Sequence, residues 1–229
     1  MGLVDQVEIG NPTQPHCATV LLLDISGSMA GEKIALLNEA LKSFKEETLK
    51  DDLARKRMDL AVITFGGSVQ LRQDFCSIED FEPPVLSAGG GTPLGEAILK
   101  AAVILEERKR QYKHQGIDYY RPWIFLLTDG APTDMEPGDI TWNQVAACVN
   151  EGETGKKFLF FAVAVEPADT RTLAQIAPQS RPPVKLIGTK FAKMFDWLSK
   201  SQAKVSASKI GENVALENPV AAGWAEVSS

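Results

Sequence analysis

A nearly unbroken apolar run that stops on a carboxylate constrains this chain more than any other feature. Cys17-Ala18-Thr19-Val20 leads into Leu21-Leu22-Leu23-Asp24-Ile25-Ser26-Gly27-Ser28. A segment apolar at successive positions, not at alternate ones, reads as a strand covered on both faces, the signature of a parallel sheet. Gly31 then opens a helical pattern over residues 31–50, with Ile34, Leu37, Leu41 and Phe44 on one face and lysines and glutamates between them. Open α/β sheets bind their ligands beyond the carboxyl ends of the strands. Asp24, Ser26 and Ser28 therefore fall where a site belongs, and short oxygen side chains at alternate positions suit a hard divalent cation.

The pattern repeats along the chain. Met58 to Phe65 is rich in strand formers and is broken by Gly66-Gly67; Val69 to Arg72 follows so closely that only a hairpin, and hence an antiparallel edge, connects them. Residues 74–87, with Pro83-Pro84, read as a surface connection. Gly89-Gly90-Gly91-Thr92-Pro93 precedes Leu94, Ile98, Ala101 and Leu105 at helical spacing. Pro93 suits the first helical position and Thr92 its cap, while the glycines also let the backbone approach an ion and turn the Thr92 hydroxyl towards it. Arg108, Lys109, Arg110, Lys113 and His114 then read as a solvated helix end. Trp123 to Gly130 is a second buried strand ending in a carboxylate, Asp129. As a sheet neighbour of the first, it would bring Asp24 and Asp129 to one edge with about 5 Å of backbone spacing. Two carboxylates that close repel unless a cation lies between them. Beyond the acidic loop 131–140 come a helix with Trp142, Val145 and Val149, a strand over 157–165, a short helix over 170–177, a strand over 184–187 and a closing helix from Phe191 to Leu198.

This alternation predicts an α/β fold with a doubly wound, Rossmann-like, mainly parallel sheet and helices on both faces. The expected organisation is a polar segment at 1–13, one domain over 14–203, and a flexible tail over 204–229 in which only Trp224 stands out.

Composition removes several function classes. A net charge of −6 with 24% charged residues argues against a nucleic-acid binder that relies on a broad basic surface. No apolar run approaches the length of a membrane span. The polar residues 1–16 match neither a signal peptide nor a myristoylation pattern. Cys17, Cys76 and Cys148 are widely spaced and odd in number, so they read as reduced thiols, and with the missing leader they predict a cytoplasmic protein.

Enzyme templates each lack a part. Aspartate-dependent phosphatases need a second Asp two residues after the first as general acid, and Ser26 stands there. Ser28 lacks the Gly two residues before it that a nucleophile elbow requires, and only His114 lies downstream. Neither a P-loop nor a dinucleotide fingerprint is present. Five oxygen side chains at strand ends remain: Asp24, Ser26, Ser28, Thr92 and Asp129. Few full charges and oxygen-only ligation suit Mg²⁺, or Mn²⁺ in its place. Ligated mostly by hydroxyls, such an ion stays electron-poor and keeps a position for a partner's Asp or Glu.

Asp24-x-Ser26-x-Ser28, Thr92 within Gly-Gly-Thr and Asp129 within Thr-Asp-Gly, in this order and separated by strands and helices, resemble the von Willebrand factor A (VWA) domain with its metal-ion-dependent adhesion site over residues 14–203. The resemblance implies five parallel strands, one antiparallel edge strand and Mg²⁺ bound by these residues. The Gly-Gly-Gly-Thr-Pro and the Arg-Pro-Trp before the second strand look most like the small bacterial cytosolic members encoded with tellurite-resistance systems. That likeness implies a scaffold beside a protein kinase and a phosphatase in a stress response. A magnesium-dependent phosphohydrolase or phosphotransfer enzyme at the same ion is the alternative.

Overall fold

The computed structural model describes residues 9–167 and 170–227, without the side chain of Val227. Most of the 1–13 segment lies outside the described residues. Seven strands form one sheet in the order β3-β2-β1-β4-β5-β6-β7: β1 (Cys17–Asp24), β2 (Met58–Gly66), β3 (Ser68–Ser77), β4 (Trp123–Thr128), β5 (Leu159–Ala164), β6 (Val184–Leu186) and β7 (Ala225–Val227). The helices are α1 (Glu32–Leu49), α2 (Asp52–Arg57), α3 (Leu94–His114), α4 (Ile140–Thr154), α5 (Thr170–Ile176) and α6 (Phe191–Ser206). The doubly wound α/β class is as the sequence predicts.

The two-residue period of β1 divides the core. Cys17, Leu21 and Leu23 pack with Leu37, Leu41 and Phe44 of α1 and with Phe195 and Leu198 of α6. Ala18, Val20 and Leu22 face the other way, onto Ile98 and Ala101 of α3 and Val145 and Val149 of α4. All eight residues of β1 are buried, which is why the run shows no polar alternation.

The chain leaves β1 for β2 on one side and, later, β4 for β5 on the other, so the strand order reverses between β1 and β4. These two are parallel neighbours, with Leu23 opposite Leu127. A crevice opens at such a switch point, and Asp24 and Asp129 stand at its two lips.

Four expectations need correction. The expected tail is structured at both ends of its described part, 204–227, since residues 204–206 finish α6 and 225–227 form β7, and the sheet of the described residues has seven strands against the six implied: β7 pairs antiparallel with β6, Lys185 opposite Glu226, covering what would be an open edge. Trp224 is buried and packs against the Trp197 ring, centroids 5.4 Å apart and the planes tilted by 56°, and the Trp197 indole N–H donates to the Glu217 carbonyl at 2.9 Å. The hairpin strand runs on to Ser77, into the expected surface connection. The segment between α1 and β2, on which the sequence carries no expectation, contains α2, capped by the Asp51 carboxylate, which accepts from the Leu53 and Ala54 amides. Finally, the expected solvated end of α3 is half wrong, because Arg108 and Lys109 are buried. Arg108 turns inward because Asp59, at the start of β2, needs a cation there, and the two meet at 2.6 Å.

Candidate metal centre

Three loops converge over the ends of β1 and β4. The first, after β1, forms a single 3₁₀ turn over Gly27–Met29, with neither the Ser26 nor any other side chain capping it; α1 likewise starts without a side-chain cap. Neither serine hydroxyl is spent on a helix cap, and both are turned to the site, Ser26 to Ser28 and Ser28 to Asp129. The second loop, 88–93, is stitched to the first by backbone bonds: Gly89 N–H donates to Ile25 O at 2.7 Å and Gly27 N–H donates to Gly90 O at 3.0 Å. It reaches the β2–β3 turn too, through Gly67 N–H to Gly91 O at 2.8 Å. Gly90 has φ +78°, and a Cβ there would lie 2.5 Å from Gly67 Cα. Only glycine permits that approach. The third loop, after β4, carries Asp129 and Gly130.

Thr92 does not cap α3. That role falls to Asp134, whose carboxylate accepts from the amides of Gly95 (3.1 Å) and Glu96 (2.8 Å). The Thr92 backbone is instead tied to the third loop, its N–H donating to the Thr133 hydroxyl at 2.9 Å and its carbonyl accepting from Thr133 N–H at 2.9 Å. A Cβ on Gly130 would sit 3.1 Å from the Thr92 hydroxyl oxygen, so that hydroxyl faces the peptide that carries Asp129.

The side chains form a continuous chain of oxygens. Asp24 accepts from Ser26 N–H at 2.7 Å on one oxygen and from the Thr128 hydroxyl at 2.6 Å on the other. The Ser26 and Ser28 hydroxyls lie 3.0 Å apart, and Ser28 donates to Asp129 at 2.5 Å. The other Asp129 oxygen holds the Lys33 ammonium, which also donates to the Ser28 carbonyl at 3.0 Å. These bonds join Asp24, Ser26, Ser28 and Asp129 at one crevice, and the backbone bonds of Thr92 to Thr133 bring the fifth predicted residue to the loop that carries Asp129. Thr128 and Lys33 belong to it as well and were not singled out from the sequence.

Asp24 and Asp129 are both buried. Burial pushes the Asp24 carboxyl above its ordinary range; bonds from Ser26 and Thr128 offset this in part, and the Asp129 charge adds to it. Asp24 is thus a buried carboxylate held only by neutral donors, beside a second carboxylate.

This donor set fits a hard cation. Adjacent ligands on an octahedral ion with bonds of ~2.1 Å stand about 3 Å apart, which is the separation of the two serine hydroxyls. Among the described residues no group of three or more His, Cys, Asp or Glu side chains is placed to hold a metal, so the softer cages of zinc or iron have no counterpart.

The chain belongs to the von Willebrand factor type A domain family, whose model matches residues 19–194, a family of protein-interaction modules. Among curated proteins, inter-alpha-trypsin inhibitor heavy chain H4 of Sus scrofa is 31% identical over 147 residues, which is 62% of this chain and 15% of that one. The chain thus spans a small part of that relative's length. Among solved structures, the pilus adhesin SpaC of Lactobacillus rhamnosus GG superposes with a TM-score of 0.64 at 13% identity, over 83% of this chain and 31% of SpaC. The von Willebrand factor domain of the type V pili tip protein Mfa5 of Porphyromonas gingivalis gives 0.58 at 13% identity, over 86% of this chain and 98% of that domain. Both likenesses concern the fold. Among the described residues no helix is long and apolar enough to cross a membrane.

Proposed function

We propose that this VWA domain is a metal-ion-dependent adhesion site in working order, a protein-binding module and not an enzyme. Asp24, Ser26, Ser28, Thr92 and Asp129 would hold Mg²⁺, with Mn²⁺ as a substitute. The bound ion would supply a Lewis-acidic position that an Asp or Glu of a protein partner completes. The observation that carries this reading is Asp24: a carboxylate buried at the switch point, met by neutral donors alone and facing a second carboxylate.

The chain's own residues account for the rest. Thr128 and the Ser26 amide fix both Asp24 oxygens, so the carboxylate is oriented before any ligand arrives. Ser26 stands where a phosphotransfer enzyme of this fold class would carry its acid, and a hydroxyl cannot donate a proton at neutral pH as a carboxylic acid does. Two structural neighbours are, by name, a pilus adhesin and a pilus tip protein, in keeping with a binding role. The finer assignment is to a cytoplasmic scaffold of the tellurite-resistance type, serving a kinase and phosphatase pair in a stress response. It rests on the Gly-Gly-Gly-Thr-Pro and Arg-Pro-Trp sequences and on three free cysteines.

Affinity capture from a lysate of the native host tests both levels, with wild type and Asp24→Ala each in Mg²⁺ and in EDTA. Proteins retained only by wild type in Mg²⁺ support the reading, and a kinase or phosphatase among them supports the finer assignment. An identical set in all four samples contradicts it.

A further inference from the structure

Lys33 lies in the first turn of α1, a place where a lysine is unfavourable to the helix dipole. Its side chain is 22% exposed while that of Asp129 is wholly buried, and the ammonium sits on the second Asp129 oxygen and on the Ser28 carbonyl. The first Asp129 oxygen is already taken by the Ser28 hydroxyl. Both oxygens of one expected ligand are thus satisfied by the chain itself, one of them by a full positive charge.

From this arrangement we infer that Lys33 is a tethered counter-cation that competes with the divalent ion for Asp129 and so sets the affinity of the site. The inference rests on the metal reading above. Asp129 cannot keep the ammonium and accept a divalent ion on equal terms, because like charges a few ångströms apart repel strongly in a partly buried crevice. Lys33 must give up Asp129 first, and its flexible four-carbon stem at the rim lets it do so. Two consequences follow for the free protein. Lys33 spares the domain an uncompensated buried carboxylate when the ion is scarce, and it restricts loading to conditions in which Mg²⁺ is plentiful. Asp24, with no such cation, stays the carboxylate that draws the ion in.

The test is titration calorimetry with Mg²⁺, and separately Mn²⁺, on wild type, Lys33→Met, Lys33→Arg and Asp129→Ala, with melting temperatures of each in EDTA. Methionine keeps the length of the side chain and the helix propensity while removing the charge; arginine keeps the charge. Lys33→Met should bind Mg²⁺ about tenfold more tightly than wild type, as loss of one competing, partly exposed ion pair implies. Lys33→Arg should stay near the wild-type affinity. In EDTA, Lys33→Met should melt lower than wild type, and Lys33→Met in the Asp129→Ala background should cost no further stability. Equal or weaker Mg²⁺ binding by Lys33→Met overturns the inference and leaves the metal reading intact. Absence of Mg²⁺ and Mn²⁺ binding by wild type and Lys33→Met alike overturns both.

Discussion

Two carboxylates lie at opposite ends of the same pair of strands, and their surroundings are opposite too. Asp24 ends β1 at the crevice; Asp59 begins β2, opposite Ala18. Both are buried. Asp59 is surrounded by its own chain's donors: Arg108 at 2.6 Å, the Tyr112 hydroxyl at 2.5 Å and the His16 ring at 3.1 Å. Burial alone would push the Asp59 carboxyl up, but these partners hold it below its ordinary range. At Asp24 burial wins and the carboxyl is pushed up. The difference distinguishes two settings: Asp59 is given a full positive charge by its own chain and fastens the fold, whereas Asp24 is given only hydroxyls and an amide, which is the ground for proposing it as the residue that draws in a cation from outside; Asp129, with Lys33 on one oxygen, lies between the two.

The largest expected effect breaks the fastening. Asp59→Ala leaves the buried Arg108 uncompensated and should cost about 3–5 kcal/mol in chemical denaturation; a loss under ~1 kcal/mol would mean that the network is dispensable. Asp24→Ala should do the reverse, abolishing Mg²⁺ binding and partner capture while leaving unfolding in EDTA unchanged or slightly harder, since repulsion from Asp129 is relieved. Calorimetry and melting of the same preparation check both halves.

Acid sharpens the contrast. With a folded pKa below the ordinary 3.8, Asp59 contributes stability that is complete above 3.8 and is lost as pH falls through the folded value. Denaturation midpoints below pH 4 should therefore drop steeply for wild type and less steeply for Asp59→Asn. The smallest effect is expected from Thr92→Ala, which removes one proposed neutral ligand. It should weaken Mg²⁺ binding by about tenfold or less, far short of Asp24→Ala, and leave α3 in place because Asp134 caps it.

The sequence makes legible whatever a local pattern encodes. The buried strands, the hairpin edge and the five proposed oxygen ligands are visible because each lies at the end of an apolar run or beside a glycine break. What stayed hidden depends on pairing across distance. Arg108 looks like one more cation on a basic helix end until β2 places Asp59 beneath it, 49 residues away in sequence. Lys33 reads as part of the polar face of α1, and only the meeting of β1 and β4 brings it to Asp129. Thr92 has the local signature of a cap, yet Asp134 takes that role from another loop. The residues after α6 carry no periodicity because a three-residue strand is too short to show one, and Trp224 alone hints that they pack. Glu212 and Glu217, spread along this segment, give it the composition of a solvated tail.

The most direct test of the central claim is the melting temperature of wild type and Asp24→Ala, each with millimolar Mg²⁺ and with EDTA. Binding to the folded state alone must raise stability by mass action. Mg²⁺ should raise the wild-type midpoint and leave Asp24→Ala where it was. No shift in wild type, or the same shift in both, would contradict the claim that Asp24 waits for a cation from outside.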